Sequence, residues 1–269
     1  MKHRRHRPLP LPLRVLRWTR VTLHVAQALL TVAIVFPVLA PPRRKRMIGS
    51  WSRDLLRMLR VEQRIHGLPA GGLPPNLLIV ANHVSWLDIF VLYALEPVRF
   101  IAKAELDGWP LVRHLMIATG TLFIDRGRRR DAHKVNRLAA DAIAGGDIVA
   151  VFPEATTTDG RDVLPFHGAL LQPIVDAGGH VQPIAIRYLD RDGRQSLAPA
   201  YIGDMTFGQS FWRVTGERSL TVELVLVAPL PAQNRHRREL SQAAESAIRK
   251  ALASPASGSA PDRPGDRRA

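Results

Sequence analysis

His83 and Asp88 stand five residues apart in Asn82-His83-Val84-Ser85-Trp86-Leu87-Asp88, directly after the apolar run Leu77-Leu78-Ile79-Val80-Ala81. An imidazole beside a carboxylate is what a general base needs. The acid holds the ring and steadies its protonated form, and the ring takes a proton from a hydroxyl. In a continuous helix, residues five apart are rotated about 140° from each other, so the two meet only if His83 precedes the helix. Ser85-Trp86-Leu87-Asp88 supplies such a start, with Ser85 as N-cap and Asp88 at the third helical position. Asp88 then has two readings: a carboxylate that only caps a helix, or the partner of His83. A second apolar run leads into Phe152-Pro153-Glu154-Ala155-Thr156, about seventy residues on.

The elements that must position these residues are legible as short apolar runs rich in branched side chains. Leu77–Ala81, Arg99–Ala102, Thr121–Ile124, Ile148–Phe152 and Val181–Tyr188 read as buried strands, and Leu220–Val227 as an edge strand. Helices are expected over Trp51–Val61, Trp86–Leu95, Pro110–Ala118, Asp131–Ala144, Gly168–Ala177 and Arg237–Ala253. Strand and helix alternating at this spacing argue for an α/β sheet covered by helices. The organisation expected is a basic and apolar membrane anchor over 1–47, a catalytic domain over 48–235, a C-terminal helix over 236–253, and a disordered tail over 254–269.

The net charge of +15 invites a nucleic-acid reading, but its distribution argues against one. Residues 1–60 hold 14 Lys or Arg against the single acid Asp54, whereas residues 61–234 hold 16 basic and 18 acidic residues. The charge brackets Val21–Pro41, which carries no Asp, Glu, Lys or Arg and as a helix would extend roughly 30 Å. That pattern suits anionic lipid headgroups. Because both flanks are basic, charge does not orient the segment, and a full crossing and burial in one leaflet both stay open. There are no cysteines, which excludes a thiolate nucleophile and a cysteine-ligated zinc. Gly-x-Ser-x-Gly and His-Glu-x-x-His are also absent, leaving serine-hydrolase and zinc-protease readings without support.

Asn82-His83-Val84-Ser85-Trp86-Leu87-Asp88 resembles the first signature of the glycerolipid acyltransferases, best known through the 1-acylglycerol-3-phosphate acyltransferases. Further blocks follow in order: Gly120-Thr121-Leu122-Phe123-Ile124-Asp125-Arg126, then Phe152-Pro153-Glu154-Ala155-Thr156, then Val181-Gln182-Pro183-Ile184-Ala185. Lys103-Ala104-Glu105-Leu106 with Trp109-Pro110 matches another segment common in that family, and the resemblance covers roughly residues 50 to 230. It implies a mixed, mostly parallel sheet flanked by helices, with an N-terminal membrane-associated helix. It also implies transfer of a fatty acyl group from acyl-CoA or acyl carrier protein to a lysolipid hydroxyl, with no metal and no bound cofactor. His83 would be the base and Asp88 its partner. The first helical amides after Ser85 would be candidate oxyanion donors. The place would be the cytoplasmic face of the cell membrane, and no nucleic acid partner is expected.

The third block departs from the family's Phe-Pro-Glu-Gly-Thr-Arg, with Ala155 for the glycine and Thr157 for the arginine. By resemblance Glu154 helps bind the acceptor headgroup, and Lys103 and the missing arginine serve its phosphate. Arg126 or Arg187 would take over that phosphate in a lysophosphatidate acceptor. Alternatively the acceptor is lyso-ornithine lipid, with Glu154 and Asp159 facing its ammonium, since Thr156-Thr157-Thr158-Asp159-Gly160 resembles that branch. A non-catalytic lipid-binding protein that kept the fold is the reading from another class.

Overall fold

The computed structural model describes residues 9–103, 110–124 and 129–254. The strands are β1 (Val61–His66), β2 (Leu77–Ala81), β3 (Arg99–Lys103), β4 (Leu122–Ile124), β5 (Ile148–Val151), β6 (His180–Leu189), β7 (Leu220–Leu226) and β8 (Leu230–Pro231). They form one mixed sheet in the order β1-β7-β6-β2-β5-β3-β4, with β8 also on β6. β6 runs antiparallel to β7 and β8, and the other pairings are parallel.

The alternation of side chains along each strand builds two cores. On one face Leu77, Ile79 and Ala81 of β2 join Ile148 and Ala150 of β5 and Ile184, Ile186 and Tyr188 of β6. This face is covered by α2 (Pro41–Met58), α3 (Leu87–Leu95) and α7 (Phe207–Gly216). On the other, Leu78, Val80, Val149, Val151, Val181 and Ala185 pack under α5 (Arg129–Ala144), α6 (Gln172–Ala177) and α8 (Arg237–Ala253). With both faces covered, β2 and β5 are buried along their whole length, which is why they read as continuous apolar runs. Because β2, β5, β3 and β6 are parallel, their C-terminal ends meet at one edge of the sheet.

Two strand assignments differ from the sequence reading. Leu220–Val227 is not an edge: β7 pairs β6 on one side and β1 on the other. The edge on that side is β1, a strand not expected from the sequence and overlapping the expected helix Trp51–Val61 only at Val61, and its polar sequence Val-Glu-Gln-Arg-Ile-His suits an edge position.

The N-terminal helix α1 (Leu11–Leu30) starts ten residues before the uncharged segment. Arg17, Val21 and His24, spaced three and four apart, face the protein and are buried. Beyond Leu30 the backbone widens into a π turn over Thr31–Val35 and tightens to a 3-10 turn over Phe36–Val38. Pro37 sits there, lacking the N–H that an α ladder needs. The chain then reverses into α2, so a boundary drawn at residue 47 falls inside that helix.

Candidate active site

At the end of β2, Asn82 behaves as one more strand residue. Its Nδ2 donates to the Ile186 carbonyl (3.0 Å), and its Oδ1 accepts from the Ile186 N–H (2.7 Å). This fixes the register between β2 and β6 and aims the next residues beyond the sheet. His83 and Val84 then pass through non-helical conformations before α3 begins at Leu87. That is one residue later than a Ser85 cap implies, because an i→i+3 bond from Asp88 N–H to Ser85 O (3.1 Å) closes the first turn tightly.

Asp88 performs both of the roles left open for it. Its Oδ2 accepts from His83 Nδ1 (2.9 Å), Val84 N–H (2.7 Å) and Ser85 N–H (2.9 Å). Its Oδ1 accepts from the Tyr188 hydroxyl (2.7 Å). The residue is wholly buried, so four donors replace the water an ionised carboxylate would otherwise need. With Nδ1 donating to Asp88, the His83 lone pair is on Nε2, which has no hydrogen-bond partner among the described residues. The ring stacks on Phe152 at 4.0 Å between centroids and 9° between planes, and its side chain is 19% exposed. An oriented, partly open imidazole with a buried acid behind it has the geometry that a general base requires.

Glu154 holds the loop rather than facing outward. It is 3% exposed; Oε1 accepts from His83 N–H (2.7 Å) and Oε2 from Leu164 N–H (2.8 Å). Burial pushes its carboxyl above the ordinary range, and the two amides and the nearby His83 work against that push. Thr158 N–H donates to His83 O (2.8 Å) and Tyr201 N–H to Val84 O (2.9 Å), so the peptide groups on both sides of His83 are pinned. Glu154→Gln keeps one acceptor oxygen and faces the second amide with an NH2 group. The expected loss is about 1–3 kcal/mol, read by urea unfolding. A carboxyl raised in the folded state adds stability below the ordinary carboxylate range and loses it as pH rises through the raised value. The gap between wild type and Glu154→Gln is therefore wider at acid pH than at neutral pH.

Ala155 has φ of 61°, the left-handed region in which a Cβ is strained. Here the family's usual glycine is the conformationally natural residue. Ala155→Gly is expected to raise stability by about 1 kcal/mol, measured as a higher urea midpoint at unchanged slope. Gly160 (φ 73°) lets its segment close on the site, since a Cβ there would come within 2.8 Å of Val84 Cγ2.

The other sequence candidates are distributed as follows. Thr157 donates its hydroxyl to the Tyr201 carbonyl, and Thr156 is exposed. Lys103 ends β3 at the same sheet edge as His83, and its side chain lies outside the described residues, as does the whole of Arg126. Arg187 is excluded from the site. It points to the opposite face of β6 from Tyr188, where Nη2 donates to the carbonyls of Ala251, Leu252 and Ser254 at the end of α8. Asp159 Oδ1 accepts from Arg161 N–H. Four amides at the start of α3 are already engaged within the loop. Those of Val84 and Ser85 serve Asp88, that of Leu87 serves Ser85 Oγ (3.2 Å), and that of Asp88 closes the turn. Tyr188 is not singled out by the sequence, where it reads as one more residue at the end of a mostly apolar strand.

Residues 64–187 match the acyltransferase family model. The chain is 38% identical to a 1-acyl-sn-glycerol-3-phosphate acyltransferase of Neisseria meningitidis, across 79% of this chain and 83% of that protein. It is 41% identical to a lyso-ornithine lipid O-acyltransferase of Pseudomonas aeruginosa, across 78% and 80% respectively. Its fold is similar to the crystal structure of the 1-acyl-sn-glycerophosphate acyltransferase PlsC from Thermotoga maritima. The TM-score is 0.68 at 21% identity, over 90% of this chain and 94% of the other. The motif order, the sheet and these relatives agree: the chain belongs to the acyltransferase family and is an acyltransferase.

Proposed function

We propose that this enzyme moves a fatty acyl group from the thioester of acyl-CoA or acyl carrier protein to the free hydroxyl of 1-acylglycerol-3-phosphate, giving phosphatidate. The observation that carries the chemistry is the 2.9 Å bond from His83 Nδ1 to buried Asp88, with Nε2 left for substrate. His83 Nε2 takes the hydroxyl proton as the oxygen attacks the thioester carbon. When the C–S bond breaks, the imidazolium returns that proton to the leaving thiolate, and Asp88 has balanced its charge in between.

Glu154 supports a phosphate acceptor, because its two oxygens are taken by backbone amides and it offers no free carboxylate to an ammonium group. Lyso-ornithine lipid is the second reading. It is supported by Thr157, a neutral side chain bound to the Tyr201 carbonyl where the family carries an arginine for phosphate. Purified protein given acyl-CoA and each lysolipid in parallel separates the two. A higher kcat/KM for lysophosphatidate is expected, and a higher value for lyso-ornithine lipid would overturn the acceptor assignment.

The enzyme is proposed to work on the cytoplasmic face of the cell membrane. Leu11–Val38 is long and apolar enough to cross a bilayer, with 17% of its most apolar window buried in the protein. Both ends are tied to one body. Leu9 N–H donates to Gly216 O, Arg17 Nη1 donates to the carbonyls of Thr215 (3.1 Å) and Glu217 (2.7 Å), and the far end reverses into α2. That arrangement supports insertion into one leaflet rather than a full crossing. Of the basic cluster before α2's midpoint, Lys45 pairs with Asp147 (2.6 Å) and Arg44 Nε donates to Leu39 O (2.8 Å). Part of that charge is therefore already used within the protein.

A further inference from the structure

We propose that Tyr188 is a positioning residue for the His83–Asp88 pair, its hydroxyl setting the orientation of the Asp88 carboxylate and tempering its hold on the imidazole. The inference rests on His83 acting as the base.

The three donors on Asp88 Oδ2 all come from one short loop, residues 83–85, so the loop alone leaves the carboxylate free to pivot about that oxygen. Oδ1 has one partner, and it comes from a different element, β6, a hundred residues away in sequence. Asn82 locks onto Ile186 two residues before Tyr188 and so sets the register that brings the phenol to the acid. Tyr188 is 2% exposed and Asp88 is wholly buried, which leaves no solvent path to replace the bond. Burial first, and the Asp88 charge second, raise the Tyr188 hydroxyl well above its ordinary range, so it remains a donor wherever the enzyme works.

Among the described residues, the charged and titratable groups around the pair are few. Glu154 approaches from the loop after β5 and holds the His83 backbone, Asp88 comes from α3, Tyr188 from β6, and Lys103 ends at the same edge on β3. A hydrogen bond donated to a carboxylate draws charge from it. Without the phenol, Asp88 would hold the Nδ1 hydrogen and the imidazolium more strongly. His83 would then stay protonated to higher pH, and its ring would be less firmly aimed.

The test is the pH profile of kcat/KM for acyl transfer by the full-length protein in lipid nanodiscs. Tyr188→Phe is expected to move the acid limb up by ~0.5–1 pH unit and to lower plateau kcat by ~10-fold with KM little changed. The chain has three tyrosines, so biosynthetic replacement by 3-fluorotyrosine is practical. The fluorinated phenol is a stronger donor, and the acid limb should move down. That opposite sign does not come from loosened packing, and this arm decides the matter alone if Tyr188→Phe does not fold. Tyr93→Phe is the control. Tyr93 is buried, and its hydroxyl bonds Thr119 and Thr121 instead of the acid, so its loss should leave the limb in place. A wild-type limb in Tyr188→Phe, or both changes moving it the same way, would overturn the proposal. Failure of the base assignment shows separately, as activity retained by His83→Ala.

Discussion

His83→Ala is expected to lower kcat for acyl transfer by about 10³-fold or more, with the protein still folded and still bound to membranes. Only ring stacking on Phe152 and one hydrogen bond leave with the side chain, while the backbone bonds of His83 to Glu154 and Thr158 remain. The sharper measurement is at Asp88. In Asp88→Asn, the amide oxygen can keep the three donors of residues 83–85, and the nitrogen can turn to Tyr188, whose hydroxyl rotates to accept. Shape survives and charge is lost, so kcat should drop by about 10²–10³-fold at near-normal stability. Asp88→Ala additionally strands the amides of Val84 and Ser85 in a buried site, costing about 2 kcal/mol or more. An Asp88→Asn protein with wild-type turnover would reduce Asp88 to a helix cap and end the case for the pair.

The double duty of Asp88 shows what the sequence made legible and where it stopped. Spacing placed His83 before a helix and Asp88 in its first turn, and that local geometry holds. Holding the helix start and pairing with His83 are set against each other in the sequence reading, yet one oxygen does both, because His83 Nδ1 and two loop amides converge on the same point. Tyr188 and the Asn82–Ile186 bonds depend on β6 lying beside β2, with Ala81 opposite Ile184. Strand order and register are long-range facts that a list of apolar runs does not contain. For Glu154, a signature block suggests contact with the acceptor headgroup and gives no sign of the two amides, distant in sequence, that the fold brings to its carboxylate.

The same division runs through the elements. β2, β3, β5, β6 and α8 were found nearly to the residue because each is a continuous apolar run or a clean amphipathic stretch. β7 reads as an edge because its residues alternate less cleanly, and Glu223 lies within it. In the folded chain that carboxylate is buried, with Arg187 opposite it at 3.7 Å, and a strand tolerates such a charge inside a sheet only with a partner close by. α7 went unseen although Thr206 and Gln209 form its capping box, a signal present in the sequence and not used.

Charging the outer face of α1 should release the protein from membranes. An ordinary surface helix turns its apolar stripe inward, whereas α1 turns Arg17 and His24 to the protein beside Val21 and leaves Leu16, Leu23 and Leu30 outside. His24 stacks on Trp51 at 4.5 Å, and Trp18 meets Phe211 edge-on at 4.5 Å, so the inner face is a built interface. Burying each outward leucine in lipid contributes about 1.5–3 kcal/mol. Leu16→Glu, Leu23→Glu and Leu30→Glu together should cut binding to anionic-lipid vesicles by at least about 100-fold, in a sedimentation assay. Their unfolding midpoint in detergent-free buffer should hardly move, since none is packed. Arg17→Ala should do the reverse: it removes the bonds to the Thr215 and Glu217 carbonyls and lowers stability while vesicle binding persists. Truncation is less informative at residue 47 than at residue 40, because the former cuts into α2, whose Leu55 and Leu56 lie in the core. If the triple glutamate protein sediments with vesicles as wild type does, another surface holds the membrane, and the inside-out face of α1 needs a different explanation.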